Sequence, residues 1–382
     1  MQTYFRILLL LIMIAVDSHA QNEQAPLLDL GDSAPALRVS AWLKGQPIPQ
    51  FEKGKVYVVE FWATWCKPCI AAMPHLSFLA AEYKDKVSII GIDIYEKKTT
   101  SIKKIKAFVD SMGLRMDYII AKEDSNYMES GWMDSSGERG IPKTFVINAD
   151  GKLAWIGHPK MGLAEVLPKI INNYWDISKE LSQRNADRHL AKLDDSLSYE
   201  LIRFQGNPLK PNDFGKPDST LVVISEVVAK EPKLKYAIAV AAYTFSSLLL
   251  TNPHKAYEYG KELLSKAKND DPPYHLIWGN ISYYEDKLSL PQEIYQLGIE
   301  AYLARIQAYP ETVDPKFYHE LAGYYWRLSQ KSKAILTEEK AITALKSEKF
   351  YLQKNLTAFK QRLRQYRKDY LQKKGSVIDK KD

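Results

Sequence analysis

Val56-Tyr57-Val58-Val59-Glu60-Phe61-Trp62-Ala63-Thr64-Trp65-Cys66-Lys67-Pro68-Cys69 is the stretch on which the reading of this chain turns. Its first half is apolar, β-branched and aromatic, as a strand should be. Its second half holds both cysteines of the 382-residue chain, in the spacing Cys-x-x-Cys. A strand that ends in Cys-x-x-Cys and opens a helix is the layout of a redox dithiol. With no third cysteine available, Cys66 and Cys69 pair with each other or stay free. Either way they point to thiol–disulfide exchange rather than to a structural bridge.

The neighbouring residues suit that chemistry. The thiolate is the attacking form of cysteine, so the first cysteine has to ionise near neutral pH. Cys66 is expected at the N-terminus of a helix running through Leu79, where unpaired amides and the helix dipole favour a negative sulfur. Lys67 adds a positive charge next door. Cys69, one turn further in, is placed to resolve a mixed disulfide by attacking the Cys66 sulfur. Pro68 lacks an N–H that a helix start leaves unpaired anyway, and it restricts the loop. Trp65 is expected to shield the disulfide while leaving Cys66 within reach. Structural zinc needs four ligands. The seven histidines are scattered and there is no second cysteine pair. No metal or cofactor is therefore expected beyond the Cys66–Cys69 dithiol itself.

The N-terminus carries Arg6, an apolar run from Ile7 to Val16, and Ser18-His19-Ala20, small at its first and last positions. This pattern predicts a secretory signal peptide over residues 1–20, too short in its apolar part to span a bilayer. Export would place the mature chain in an oxidising compartment. A two-cysteine protein there has no disulfide staples, so its stability must come from a core, and the length allows two domains or more. The net charge of +7 survives removal of the leader, because Arg6 and Asp17 cancel. Much of the excess lies in Lys360-Gln361-Arg362-Leu363-Arg364-Gln365-Tyr366-Arg367-Lys368 and the Lys-rich end. For an exported protein this reads as a solvated helix face and a frayed tail, with no nucleic-acid partner.

Residues 21–176 alternate strand-like and helix-like segments. Val87 to Ile94 is a nearly continuous apolar run, as a buried central strand should be. Thr100 to Met112 carries Ile102, Ile105, Phe108 and Val109 at helical spacing. Asp117-Tyr118-Ile119-Ile120-Ala121 predicts another strand. Thr144–Asn148 and Leu153–Gly157, joined through Asp150-Gly151, predict a hairpin. Leu163 to Trp175 predicts a closing amphipathic helix. Together these argue an α/β fold with a central sheet and flanking helices. Residues 177–218 read as a helical and loop linker, broken by the Asn207–Pro217 stretch. Residues 219–382 are helical in period throughout. Ala237 to Leu250 is apolar but short and holds Tyr243, Thr244, Ser246 and Ser247, so a buried bundle helix is expected rather than a membrane span. Tyr318, Leu321-Ala322, Tyr325, Ala334 and Ala341 resemble one tetratricopeptide repeat, with Glu338 in place of the usual aromatic and Lys346 in place of the usual proline. Tyr274, Ile277 and Ile281 repeat its first half weakly. An all-α domain of helical hairpins is the expectation.

Val58 to Cys69 closely resembles the active-site segment of thioredoxin-fold proteins, and most of all the exported TlpA/ResA-like branch. Gly31-Asp32-Ser33-Ala34-Pro35-Ala36-Leu37 and Gly54-Lys55-Val56-Tyr57 upstream look like that branch, as does Gly140-Ile141-Pro142-Lys143-Thr144-Phe145-Val146-Ile147 downstream. The resemblance covers roughly residues 30–175, in the family's order. It implies a cis-proline at Pro142 facing the dithiol, which leaves the backbone of Ile141 free to pair with an extended substrate. It also implies a buried acid at Glu60, six residues before Cys66. A carboxyl on a buried strand has a raised pKa and could accept the proton of Cys69 as that thiol attacks. Alternation along Val58, Glu60 and Trp62 favours burial. Pro74 matches the proline that kinks the family's first helix. The chain departs from the branch at Ala72, where a glutamate is often found, so any substrate-selective role of that acid is absent. Peroxiredoxins share the fold but need Pro-x-x-x-Thr-x-x-Cys. Thr64 is two rather than three residues before Cys66, and no proline stands at the required spacing.

These readings combine into an exported thiol–disulfide oxidoreductase, with a bacterial periplasm as its compartment. Cys66, Cys69, Glu60 and Pro142 form the catalytic set, and Trp65, Ile141, Lys67 and Pro68 the substrate-binding set. Disulfides of envelope proteins are the expected substrates, and an upstream electron donor is required. Reduction is the preferred direction, by analogy with reducing members of the branch. The alternative is a helical scaffold that recruits protein partners to an oxidase- or isomerase-type redox domain.

Overall fold

The computed structural model describes residues 28–207, 210, 213–266, 274–308, 313–347 and 353–378. The expected signal peptide lies outside the described residues, as do Asp271-Pro272-Pro273 and part of the 207–217 loop. The chain divides into two compact units, Met1–His189 and Leu190–Asp382.

The first unit is built on a mixed six-stranded sheet in the order β1-β4-β3-β2-β5-β6. In chain order its elements are β1 (Val39–Lys44), β2 (Val56–Trp62), α1 (Lys67–Glu82), β3 (Val87–Asp93), α2 (Ile102–Met112), β4 (Ile119–Glu123), β5 (Lys143–Ile147), β6 (Leu153–Gly157) and α3 (Leu163–Ile171). β2 lies inside the sheet, parallel to β3 and antiparallel to β5. All its residues are buried, which is why its sequence is nearly unbroken apolar. Its side chains alternate between two cores. Val56, Val58 and Trp62 pack with Cys66, Cys69, Met73, Leu76 and Leu79 of the α1 side. Tyr57, Val59 and Phe61 pack with Trp132 and Phe145 on the other face.

Three boundaries differ from the sequence pattern, each for a local reason. The strand expected at 117–121 is Ile119–Glu123. A 3-10 turn, Gly113–Met116, follows α2, and the Asp117 amide donates to Ser77 Oγ at 2.8 Å. The helix expected to reach Trp175 ends at Ile171. Asn173 then turns left-handed with φ 58°, and Trp175 swings back so that its indole N–H donates to the Ala154 carbonyl at 2.8 Å. The hairpin forms with its Asp-Gly turn, Gly151 at φ 78°. Asn148 Oδ1 accepts from the Asp150 and Lys152 amides at 3.1 and 2.9 Å.

The second unit is helical. α4 (Ile177–Leu201) begins in the first unit and is followed by α5 (Pro217–Lys230), α6 (Ile238–Thr251), α7 (Pro253–Lys266), α8 (Tyr274–Tyr284), α9 (Gln292–Ala308), α10 (Pro315–Arg327), α11 (Lys331–Ser347) and α12 (Gln353–Ile378). The segment 177–218 thus consists of α4, a short 3-10 turn at Ile202–Phe204, a connecting loop and the start of α5. α6 buries Val240, Ala241, Phe245 and Leu249 within the helical core. No helix among the described residues is long and apolar enough to cross a membrane. In α10 and α11, Leu321, Ala322, Ala334 and Ala341 of the repeat-like pattern are buried, and Tyr318 and Tyr325 are half-buried. Glu338 is buried too, and its Oε1 lies 2.6 Å from His319 Nδ1.

Candidate active site

Ala63, Thr64 and Trp65 carry the chain from the end of β2 to the start of α1. Cys66 caps that helix, with φ −80° and ψ 96°, and its sulfur accepts the Cys69 amide at 3.2 Å. The sulfur therefore takes one of the donors that a helix start leaves free. Cys66 and Cys69 are joined by a disulfide, their Cα atoms 5.3 Å apart. Cys69 is fully buried, and Cys66 keeps only 3% of its surface, less than the reach expected from sequence. Trp65 is 54% exposed. Its indole N–H donates to the Tyr95 carbonyl at 3.0 Å, which anchors the ring beside the segment after β3. Lys67 and Pro68 are exposed on the first turn of α1.

The Ile141–Pro142 bond is cis. It enters β5 so that the Ile141 carbonyl oxygen stands 3.8 Å from Cys66 Sγ. Pro142 is buried and Ile141 half-buried. The structure thus brings Cys66, Cys69, Ile141 and Pro142 to one place, with Lys67, Pro68 and Trp65 around it.

Glu60 is fully buried on β2, and neither carboxylate oxygen finds a hydrogen-bond partner. Alternation puts it between Val58 and Trp62, on the α1 face where both cysteines pack. Burial pushes its carboxyl well above the usual range. Trp62 Nε1, Tyr118 Oη and Thr144 Oγ1 on the same side of the sheet are buried without partners as well. Gly91 makes room for the first two. A Cβ there would stand 3.0 Å from the Tyr118 ring and 3.2 Å from Trp62 Nε1.

Two acids beside the site were not singled out from the sequence. Glu96 Oε1 accepts the Thr64 amide at 2.7 Å and so holds the loop just before Cys66. Asp93 ends β3 fully buried, with Lys122 Nζ 3.5 Å away. Burial outweighs that lysine, and Glu96 adds repulsion, so the Asp93 carboxyl is pushed up to about 8. A lone acid inside the apolar run Val87–Ile94 was the available signal. His158, just after β6, is held down at about 4 by burial and by the charges of Lys143 and Lys160, so it is neutral at physiological pH. No cluster of three or more His, Cys, Asp or Glu side chains able to hold a metal occurs among the described residues.

Residues 30–156 match the AhpC/TSA family. Protein FixW of Rhizobium leguminosarum is 36% identical over 163 residues, covering 40% of this chain and 71% of FixW. The thiol-disulfide oxidoreductase ResA of Bacillus anthracis is 32% identical over 155 residues, covering 39% of this chain and 83% of ResA. Among solved structures, a thiol-disulfide isomerase from Corynebacterium glutamicum aligns with 39% of this chain and 99% of its own, at 17% identity and a TM-score of 0.32.

Proposed function

Because this chain belongs to the AhpC/TSA family, and within it to the thioredoxin-like thiol–disulfide oxidoreductases, we propose that it is an exported reductase of disulfides in envelope proteins, working in a bacterial periplasm. The observation that supports the exchange chemistry in this proposal is the meeting of three features: a disulfide at a helix N-terminus, the Ile141 carbonyl 3.8 Å from its first sulfur, and a buried, unpartnered Glu60 on the same face of the sheet.

In this reading the reduced protein meets a substrate disulfide. The Cys66 thiolate attacks one sulfur of the substrate, forming a mixed disulfide and releasing the other sulfur as a thiolate. The helix N-terminus and the Cys69 amide stabilise the negative sulfur of Cys66. Glu60 takes the proton of Cys69, whose thiolate then attacks Cys66 Sγ and expels the second substrate thiolate. Two electrons pass to the substrate, and the Cys66–Cys69 disulfide remains for an upstream donor to reduce. The backbone at Ile141 pairs with the substrate segment beside the disulfide, with Pro142 fixing that edge and Trp65, Lys67 and Pro68 forming the rim. Position 72 in α1 is a buried alanine, so no acid there contributes to substrate choice.

Trapping tests the reading. With Cys69→Ala the mixed disulfide on Cys66 cannot be resolved, and envelope proteins should accumulate covalently attached. An absence of such adducts in cells would sink the exchange mechanism. A potential near that of strong oxidants, measured for Cys66–Cys69 against glutathione, would instead assign the oxidase direction.

A second reading concerns the helical unit as a protein-binding scaffold. It is supported by a cavity of about 430 Å³ within that unit, lined among others by Phe214, Tyr243, Ser246, Asn280 and Tyr283. Aromatic and polar linings of this kind suit a peptide. Replacing Tyr243 and Tyr283 by alanine in the Cys69→Ala chain should then change which proteins are trapped. An unchanged set would leave the cavity without that role.

A further inference from the structure

Glu138 lies between two cations. Its Oε2 is 2.6 Å from Lys143 Nζ, and its Oε1 is 2.5 Å from the Arg184 guanidinium of α4. Arg184 Nε is in turn 3.1 Å from Asp29 Oδ1. Arg188, one turn on, pairs with Asp29 and donates to the Ser136 carbonyl at 3.2 Å. These are not surface pairs: the Glu138, Arg184 and Asp29 side chains are 16%, 14% and 17% exposed. Burial pushes the Glu138 carboxyl up, but Lys143 and Arg184 together outweigh it and hold the group below its ordinary value. A partly buried carboxylate with two cations is far more strongly held than an exposed pair.

Glu138 and Lys143 bracket Arg139-Gly140-Ile141-Pro142. Arg139 and Gly140 are exposed, and a Cβ on Gly140 would find no atom within 4 Å. Packing does not hold the outer part of this loop, so its ends must. One end is the Lys143–Glu138 pair. The other is the Glu138 backbone, whose amide donates to the Met133 carbonyl at 2.8 Å. The Ile141 carbonyl beside Cys66 is carried on this short span.

We propose that Glu138 is a positioning residue of the redox site, clamped by Lys143 and by Arg184 of α4, and that this clamp sets the Ile141 backbone where an extended substrate docks. The proposal rests on the reading that Ile141 pairs with substrate backbone. A peptide disulfide uses that edge, whereas a small aromatic disulfide reaches Cys66 without it. The clamp therefore governs the rate on peptide disulfides and leaves the chemistry of the dithiol alone.

The test uses the full chain, pre-reduced, in wild-type form and as Glu138→Gln, Arg184→Met and Arg184→Lys. Second-order rate constants are measured for a disulfide-bonded peptide and for dithiobis(nitrobenzoate), together with the Cys66–Cys69 potential. Glu138→Gln and Arg184→Met are expected to slow the peptide reaction about tenfold, as small misplacements of a docking group do. The small disulfide should change by less than about twofold, with the potential unmoved. Arg184→Lys, which keeps the charge but not the fork, should fall between, and it decides the matter if the other two variants do not fold. Equal loss on both substrates, or no loss on the peptide, overturns the proposal. A wild-type protein with no preference for the peptide overturns the docking reading itself, and the clamp with it, before any variant is made.

Discussion

Glu60 of β2 stands directly across from Thr144 of β5, two residues beyond Pro142, and both side chains are fully buried without a hydrogen-bond partner. A carboxyl in such surroundings is neutral over a wide pH range, because burial penalises only its charged form. It can take the Cys69 proton only from its ionised form, and burial makes that carboxylate a stronger base than an ordinary glutamate.

Glu60→Gln should slow resolution of the mixed disulfide by about a hundredfold, at the low end of what a positioned base supplies. The first attack by Cys66 does not need that base and should be little changed. Stopped-flow measurement of the two phases separates the steps. Equal rates of resolution in both proteins would remove Glu60 from the mechanism.

The same substitution has a stability consequence whose sign follows from linkage. Below pH about 4 both folded and unfolded chains carry the Glu60 proton. As pH rises, the unfolded chain loses it first while the folded chain retains it, so stability falls until the folded group ionises. Glu60→Gln removes that loss. Its Tm should match the wild type at acid pH and exceed it increasingly towards neutrality. A constant difference across pH would refute the assignment.

Asp93 gives a sharper window, since its folded value is about 8. From pH about 4 to about 8 the unfolded chain is ionised there and the folded chain is not, so this group costs up to about 1.4 kcal/mol of stability per pH unit. Denaturant titrations at pH 5, 7 and 9 should show Asp93→Asn gaining on the wild type from pH 5 to 7 and gaining less from 7 to 9, because the folded group ionises near 8. A gain that does not grow with pH would mean that Lys122, 3.5 Å away, keeps Asp93 ionised throughout.

Gly91 is the position in β3 that makes space for the buried Trp62 and Tyr118 side chains. An alanine there would press on the Tyr118 ring at 3.0 Å, Ile120 Cδ1 at 3.1 Å and Trp62 Nε1 at 3.2 Å. Overpacking of this kind costs about 1–3 kcal/mol. Gly91→Ala should lower the denaturation midpoint accordingly, and an unchanged midpoint would show that the three neighbours yield freely.

What the sequence revealed and what it hid follow from the range of the interactions. β2, α1 and the Cys-x-x-Cys turn were legible because an unbroken apolar run, a helix cap and a pair of cysteines are all local signals. The burial of Glu60 was legible from alternation on a single strand, whereas its role came from the family resemblance. β1 was not: of Val39 to Lys44 only Leu43 is buried, and its partner strand, β4, is Ile119–Glu123. Glu96 holding the Thr64 amide and Arg184 holding Glu138 join residues 32 and 46 positions apart. No periodicity records such pairs, and only the folded sheet brings them together. Asp93 lay between the two cases, since its apolar neighbours were visible but its depth was not.

In the helical unit the same logic applies to His319 and Glu338, whose side chains meet at 2.6 Å between α10 and α11. Glu338 sits where the repeat-like pattern expects an aromatic, and His319 stacks on Phe359 of α12 with ring centroids 3.9 Å apart. The pair thus ties three helices. Glu338→Ala would leave His319 Nδ1 buried without its partner, at a cost of about 1–3 kcal/mol. His319→Phe with Glu338→Leu removes both polar groups and should cost less than the sum of His319→Phe and Glu338→Leu alone. A double-mutant cycle by urea denaturation reads the coupling directly. A coupling near zero would mean that the contact contributes nothing to the packing of α10, α11 and α12.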